Sequence, residues 1–341
     1  MAAILISISS LFAEVLAQDV YFSQPYTMPT YLNPAYTGLE GHVRVGLSYR
    51  NQWTSLESPY VTYAVYADSY FDNFKSGVGL IALSDRQGRG GGTFIKNTIG
   101  ASYAYNLQIA EKTFARFGLQ AMVKMNSVKG AELIFPDMID LDGNIIGEAG
   151  FSRLSKAVFN MAIGGVFSHD WLYAGIALHN LIGTTEAAVL EEEVNTLIKY
   201  TVSLGCNIPI TLYNQSSRGT TYRNVAAETL TISPNIIHQH QGKGNILNVG
   251  SYFGLMNFAL GVFYKHGFGT SSNYYSVNFS YKTSLFTITY NFDFGNVSRE
   301  TKTSAANTHE VSLIVRMKHQ ESRRGTKYRT IPYRANNTPD V

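Results

Sequence analysis

Four stretches of the chain carry residue types that chemistry could use. His238 and His240, two apart, could share one face of a strand and begin a metal site, but no acidic or third histidine partner lies near them in the sequence, so a solvated loop pair is expected. Asp140, Asp142, Asn144 and Glu148 in DLDGNIIGE supply calcium-type oxygens, yet the glycine stands fourth where a calcium loop needs it sixth, so an oxygen-rich outer loop is expected. Gly88-Arg89-Gly90-Gly91-Gly92 has the composition of a phosphate cradle, which requires a buried strand before it and a helix after it. Alternating segments flank it here, so it reads as a surface hairpin. His309 and Glu310 are adjacent, and adjacent strand residues point to opposite faces, so they form no triad with any of the nearby serines. No acid, base and nucleophile can be placed together, and the sequence predicts no catalytic residue, no metal and no cofactor.

The elements around these residues are more informative. Only 15% of the 341 residues are charged, while 45% are hydrophobic and 13% aromatic, with 23 Tyr and 19 Phe. A soluble domain carries roughly a quarter charged residues, and a disordered chain carries few aromatics. The single cysteine, Cys206, excludes an internal disulfide and a thiolate zinc site. Residues 2–17 form an apolar run ending in Val15-Leu16-Ala17 before Gln18-Asp19, the pattern of a secretory signal over 1–17, although no basic residue precedes Arg44.

Beyond that run no apolar stretch is long enough for a membrane-spanning helix. Period-two alternation recurs instead. Val43, Val45, Leu47 and Tyr49 alternate with Arg44, Gly46, Ser48 and Arg50, and Tyr275, Val277, Phe279 and Tyr281 alternate with Ser276, Asn278, Ser280 and Lys282. Fourteen such segments are expected, near 42–50, 60–68, 77–84, 94–105, 114–124, 157–167, 172–179, 198–206, 229–238, 245–253, 257–265, 274–281, 285–292 and 309–317. Polar faces with mid-strand Lys, Arg and Asn suit a wet or plugged lumen, and apolar faces rich in Tyr and Phe suit lipid and its interfaces. A two-sheet sandwich or a propeller alternates similarly. The signal, the low charge and the aromatic load favour an all-β transmembrane antiparallel barrel over 42–317.

Connection lengths agree if odd-to-even connections lie outside: 125–156, 180–197 and 293–308 are long, while 168–171, 254–256 and 282–284 are tight. The connection 207–228 is long on the short side, either a periplasmic insertion or a slip of one in the count. Residues Thr184–Lys199, with Glu186, Glu191, Glu192 and Glu193, read as a short amphipathic helix on an outer loop. The end of the chain, 318–341, sets Lys318, Arg323, Arg324, Lys327, Arg329 and Arg334 against Glu321 and Asp340, which accounts for the whole net charge of +3 and leaves a near-neutral body with no basic surface for nucleic acid.

Before the first strand, residues 18–41 contain Pro25, Pro29 and Pro34, which block regular pairing into a wall. This segment is expected to plug or brace the lumen from the periplasmic side, with Tyr21, Phe22, Tyr26, Tyr31 and Tyr36 packed on inward groups such as Arg44 and Arg50. Its Phe22-Ser23-Gln24, its Tyr31-Leu32-Asn33-Pro34-Ala35 with Gly38, and the following Tyr49-Arg50-Asn51-Gln52-Trp53 resemble the start of PorP/SprF-family outer-membrane proteins of the type IX secretion and gliding machinery of Bacteroidota. GVGLIALSDRQG (77–88), SYAYNLQI (102–109), LYAGIALHNL (172–181), ISPNII (232–237), ITYNFDF (288–294) and THEVSL (308–313) follow in the family's order. The resemblance implies a fourteen-stranded outer-membrane barrel reached by Sec-dependent export. It also implies a role in secretion or surface attachment of a client, such as an adhesin with a type IX C-terminal domain. A PorP-like link to a lipoprotein of the periplasmic ring is the alternative within the family, and a small-solute channel is the alternative outside it. The basic tail, through Arg323, Arg324, Lys327, Arg329 and Arg334, is expected to be a periplasmic partner contact. Phe22, Ser23, Gln24, Asn33, Pro34, Ala35, Gly38, Arg50, Gln52 and Trp53 are the family-motif positions.

Overall fold

The computed structural model describes residues 19–54, 59–88, 93–129, 140, 153–182, 185–187, 193–195, 197–212, 228–268, 272–296 and 307–317. The expected signal, the calcium-like loop apart from Asp140, the glycine run beyond Gly88 and the basic tail therefore lie outside the described residues. No described helix is long and apolar enough to cross a membrane.

The strands are β1 (Val43–Gln52), β2 (Tyr60–Phe71), β3 (Ser76–Gln87), β4 (Thr93–Ala110), β5 (Thr113–Lys129), β6 (Arg153–His169), β7 (Leu172–His179), β8 (Thr185–Ala187), β9 (Glu193–Asn195), β10 (Lys199–Cys206), β11 (Ile208–Leu212), β12 (Glu228–Gln241), β13 (Gly244–Leu255), β14 (Phe258–Phe268), β15 (Ser272–Lys282), β16 (Phe286–Asn296) and β17 (Thr308–Met317). Each long strand pairs antiparallel with its neighbours in sequence, β1 pairs with β17, and β10 pairs with β12, so the sheet closes. The result is a closed 14-strand antiparallel barrel, in which the wall strands pair with one another as a bilayer demands. All fourteen alternating segments coincide with wall strands.

Side chains follow the pleat. On β1, Arg44, Ser48 and Arg50 are buried in the lumen, while Leu47 and Tyr49 are exposed on the outside. The outward face elsewhere carries Leu80, Ile99, Phe117, Leu119, Phe159, Phe167, Ile176, Phe279 and Ile288, an apolar surface that lipid covers.

The connection that broke the length rule begins later than the sequence suggests, and its remainder, 213–227, lies outside the described residues. Gly205 opposes Asn235 and Ile208 opposes Ile232, one unbroken register, so β10 and β11 are a single strand against β12. Pairing lapses between them beside Pro234, which has no N–H to donate, and the Asn207 N–H turns instead to the Trp171 carbonyl at 2.9 Å. The strand count holds, and the wall strand runs on to Leu212.

Two further readings are corrected. Among the described residues of 184–199 there is no helix: β8 and β9 pair as an antiparallel hairpin, and Lys199 already belongs to the wall. A lone surface helix of that length is marginal without a face to bury. His238 and His240 lie on β12 rather than in a loop, on its outward face, where both rings pack on Tyr200 at 5.6 and 4.9 Å between centroids.

Candidate functional site in the lumen

Residues 19–41 occupy the barrel interior. The prolines set the local structure: Pro25 and Pro34 open single 3-10 turns, and Pro29 opens a four-residue helix, α1 (Pro29–Leu32). Chain this short cannot satisfy its own backbone, so the wall supplies the partners.

Asp19 sits at the outer end of the lumen, its backbone N–H donating to Gln241 Oε1 at 2.8 Å and its carboxylate accepting from Lys124 Nζ at 2.6 Å and Asn180 Nδ2 at 2.7 Å. Farther in, Glu310 accepts the N–H of Ser23 at 2.7 Å and of Gln24 at 3.3 Å, and Ser23 Oγ donates to Asp293 at 2.6 Å. Arg50 donates to Ser23 Oγ at 3.4 Å and to Gln52 Oε1 at 2.6 Å, with Glu310 at 3.7 Å. Asn33 accepts the Ala35 N–H at 2.9 Å and donates to the carbonyls of Gly165 and Ile176 at 3.2 and 3.1 Å. Arg116 Nε donates to the Ala35 carbonyl at 2.8 Å, and its Nη2 to the Thr37 carbonyl at 2.5 Å. The Gly38 N–H donates to Asp68 at 2.7 Å, the carboxylate that Arg44 also grips with two donors at 2.9 and 2.6 Å. Glu40 closes the other end between Arg44 at 3.3 Å and Arg316 at 2.5 Å.

The motif positions thus fall into two groups. Phe22, Ser23, Gln24, Asn33, Pro34, Ala35 and Gly38 are buried together in the lumen with Arg50. Gln52 and Trp53 stand at the end of β1, where the Trp53 ring packs on Tyr60 at 4.8 Å. Gly38 has φ +68°, a left-handed conformation that glycine alone adopts freely, and it lies against Gly77 and the Ser69 carbonyl, with no room for a Cβ. Gly118 fills the same need on β5: a Cβ there would overlap the Pro34–Ala35 peptide.

The aromatic partners differ from the expectation. Arg44 spends its donors on Asp68 and Glu40 and stacks on Tyr66, while Arg50 meets Ser23 rather than a ring. Phe22 and Tyr31 meet edge to face at 5.4 Å, Tyr26 packs on Tyr252 at 6.3 Å, and lysines lie over Tyr21 (Lys265) and over Tyr31 (Lys199). Tyr36 shares a hydrogen bond with Ser203 at 3.1 Å. Nor does the segment stop at one mouth: it runs from Asp19 beside the outer ends of β5, β7 and β12 to Glu40 beside the start of β1.

Of the wall residues that receive it, Asn235, Asp293 and Glu310 fall in the family-like stretches ISPNII, ITYNFDF and THEVSL, while Asp68, Arg116 and Lys124 lie in none. What marks all six is a polar residue at an inward position of a strand. His309 and Glu310 point to opposite faces, Glu310 into the lumen and His309 outward against Tyr290, 2.8 Å from its hydroxyl. Among the described residues no group of three His, Cys, Asp or Glu is placed to hold a metal.

A closed antiparallel barrel with a lipid-facing apolar belt and an ordered polar interior is an outer-membrane protein. Residues 15–315 match the family described as type IX secretion system membrane protein PorP/SprF, and the chain belongs to that family. No curated protein matches it. Among solved structures it is similar to a deletion mutant of the TodX monoaromatic hydrocarbon channel (11% identity, 87% of this chain and 94% of that one, TM-score 0.49) and to the CymD monoaromatic hydrocarbon channel (12%, 86% and 93%, TM-score 0.45). It is also similar to the Acinetobacter baumannii outer membrane protein Omp33 (9%, 82% and 100%, TM-score 0.39).

Proposed function

We propose that this barrel is a non-catalytic component of the type IX system that supports the secretion or cell-surface attachment of a client protein, such as an adhesin, and is not a conduit for small solutes. The observation that carries this reading is the lumen itself. A channel needs a continuous wet path, whereas here 23 residues from Asp19 to Gly41 fill the interior and tie their backbone to the wall at Gln241, Glu310, Arg116 and Asp68. What remains for partners is the outside of the barrel. On one rim, β6 pairs with β7 only from Ile163 to His169, so the part of β6 from Arg153 onward rises past the end of β7.

A second reading, a link to the periplasmic secretion ring, is favoured by the opposite rim. There the β11–β12 hairpin continues past the start of β7, with Ile208 and Ile210 exposed. The basic tail would extend this contact toward an acidic protein surface. A pull-down comparing the full chain with one ending at Met317 tests that part, and identical partners with identical salt sensitivity remove the tail from the contact.

The main reading is tested by conductance and display. In planar bilayers the intact protein is expected to show no conductance above leak and a chain lacking residues 20–36 to conduct; in the native strain, loss of the protein should remove the client from the surface. Porin-like conductance of the intact chain, with surface display unchanged in its absence, overturns it.

A further inference from the structure

The outer end of the lumen holds an ammonium with no hydrogen-bond acceptor among the described residues. Lys124 and Lys199 converge there with Lys96 on a single carboxylate of the lumen segment, that of Asp19. One Asp19 oxygen takes Lys124 at 2.6 Å, with Lys96 at 3.7 Å, and the other takes Asn180 at 2.7 Å and Gln241 at 3.4 Å. Asp85, across β3–β4 from Lys96, has its oxygens engaged by Thr62 and Gln87. His179 meets the Leu32 carbonyl at 3.3 Å through Nε2, which makes that nitrogen the donor.

Lys199 is left over. It is only 5% exposed, and its ammonium stands 5.0 Å above the Tyr31 ring with no hydrogen-bond acceptor among the described residues. A ring face recovers only a small part of what an ammonium loses on leaving water. Beside it is a void of about 10 Å³, bordered by Asp19, Tyr31, Lys96, Lys124, His179 and Lys199. That is room for a single small particle, a water or a monatomic ion, and not for a sulfate or phosphate.

We propose that this chamber is a binding site for one small monovalent inorganic anion, chloride in the native setting, held by Lys199 with Lys124 and Lys96 beside the Asp19 carboxylate. The anion would give Lys199 a direct acceptor and balance three lysines that share the one Asp19 carboxylate, and would lock the outer end of the lumen segment through Tyr31 and Asp19. The chemistry is that of a halide among ammonium donors, and it is independent of which client the barrel serves.

Two measurements on the full-length detergent-purified protein test it. Crystals grown in bromide should show an anomalous peak in the chamber between Lys199 and Lys124. The temperature at which the folded band is lost on gels should be a few degrees higher in chloride or bromide than in gluconate at equal ionic strength. Lys199→Met should abolish that difference and, in gluconate, melt no lower than the unaltered protein, because it removes a buried ammonium that has no direct acceptor and repels Lys124. Lys112→Met, an exposed residue paired with Asp170, should keep the halide dependence. A chamber without a bromide peak, equal midpoints in chloride and gluconate, or a halide effect that survives Lys199→Met overturns the proposal. If the Lys199 variant does not fold, the bromide peak in the unaltered protein decides alone.

Discussion

The two ends of the lumen segment are held by different physics. At the outer end one carboxylate, Asp19, faces a group of lysines. Burial pushes its pKa up, but Lys124, Lys96 and Lys199 together outweigh burial and hold it well below the usual carboxylate range. From Asn33 to Gly41 the chain is interlocked instead: peptide lies directly on peptide at Gly118 and Gly77, and Arg116 and Asp68 clamp the backbone from the wall. Coulombic contacts weaken with salt or protonation and re-form at once, whereas close backbone packing is either made during folding or absent. The comparison assigns the inner half to the architecture of the barrel and leaves the outer end as the part that can let go.

The sharpest way to break this contrast is steric. Gly118→Val places branched carbon on the Pro34–Ala35 peptide, and with no flexible side chain to move aside the segment must leave its seat. A loss of about 3 kcal/mol or more is expected, read as a sharp fall in the gel-shift midpoint and in folded yield. A midpoint within a degree of the unaltered protein would show that the inner half is not an interlock. Arg116→Met removes the two charged donors, Nε and Nη2, without adding bulk and deprives the Ala35 and Thr37 carbonyls of them. About 2–3 kcal/mol is expected, and Arg116→Lys should recover only part, because one ammonium cannot span both carbonyls as the fork does.

The wall was legible because lipid and lumen impose opposite demands on alternate residues, so Leu47 and Arg50 on one strand report their own faces. The lumen segment was legible as non-wall, since three prolines forbid a ladder. Its partners were not. Glu310 receives the N–H groups of Ser23 and Gln24 from the far end of the chain, and although it falls in the THEVSL stretch, nothing local says which segment it meets. The aromatic assignments failed for a related reason. Arg44 and Arg50 looked available because the carboxylates that claim them are not near in sequence: Asp68 comes opposite Arg44 only when β1 and β2 pair, and Glu310 opposite Arg50 only when β17 closes on β1. The helix read over Thr184–Lys199 failed because periodic glutamates state where solvent lies, not whether a short segment has anything to pack on.

Acid should separate the ends next. Burial raises the Glu40 pKa, yet Arg44 and Arg316 pull it down to about 2. A carboxylate depressed on folding contributes stability that is fully present above its unfolded value of 4.5 and is lost as the pH falls toward 2. Glu40→Gln is therefore expected to cost about 1–2 kcal/mol near neutrality, and the gap between the two proteins should close over that acid window. A gap that stays constant down to the acid limit would show that the Glu40 charge does not brace the inner end.

The smallest global effect, and the most local one, belongs to Asp19→Asn. The amide can still accept from Lys124, so the main hydrogen bond is retained and the barrel midpoint should move by no more than about 1 kcal/mol. What is lost is the carboxylate the lysines share, so Lys124 and Lys199 should repel one another across the chamber and push residues 19–22 out of place. Amide hydrogen exchange should rise over Val20–Phe22 and stay unchanged over Asn33–Gly38, where the interlock is untouched. Because the strain in the variant comes from lysine repulsion, adding Lys199→Met should return the Val20–Phe22 exchange toward the original rate, a coupling that independent sites would not show. Equal increases at both ends would mean that the segment releases as one unit and that its outer end is no separate latch.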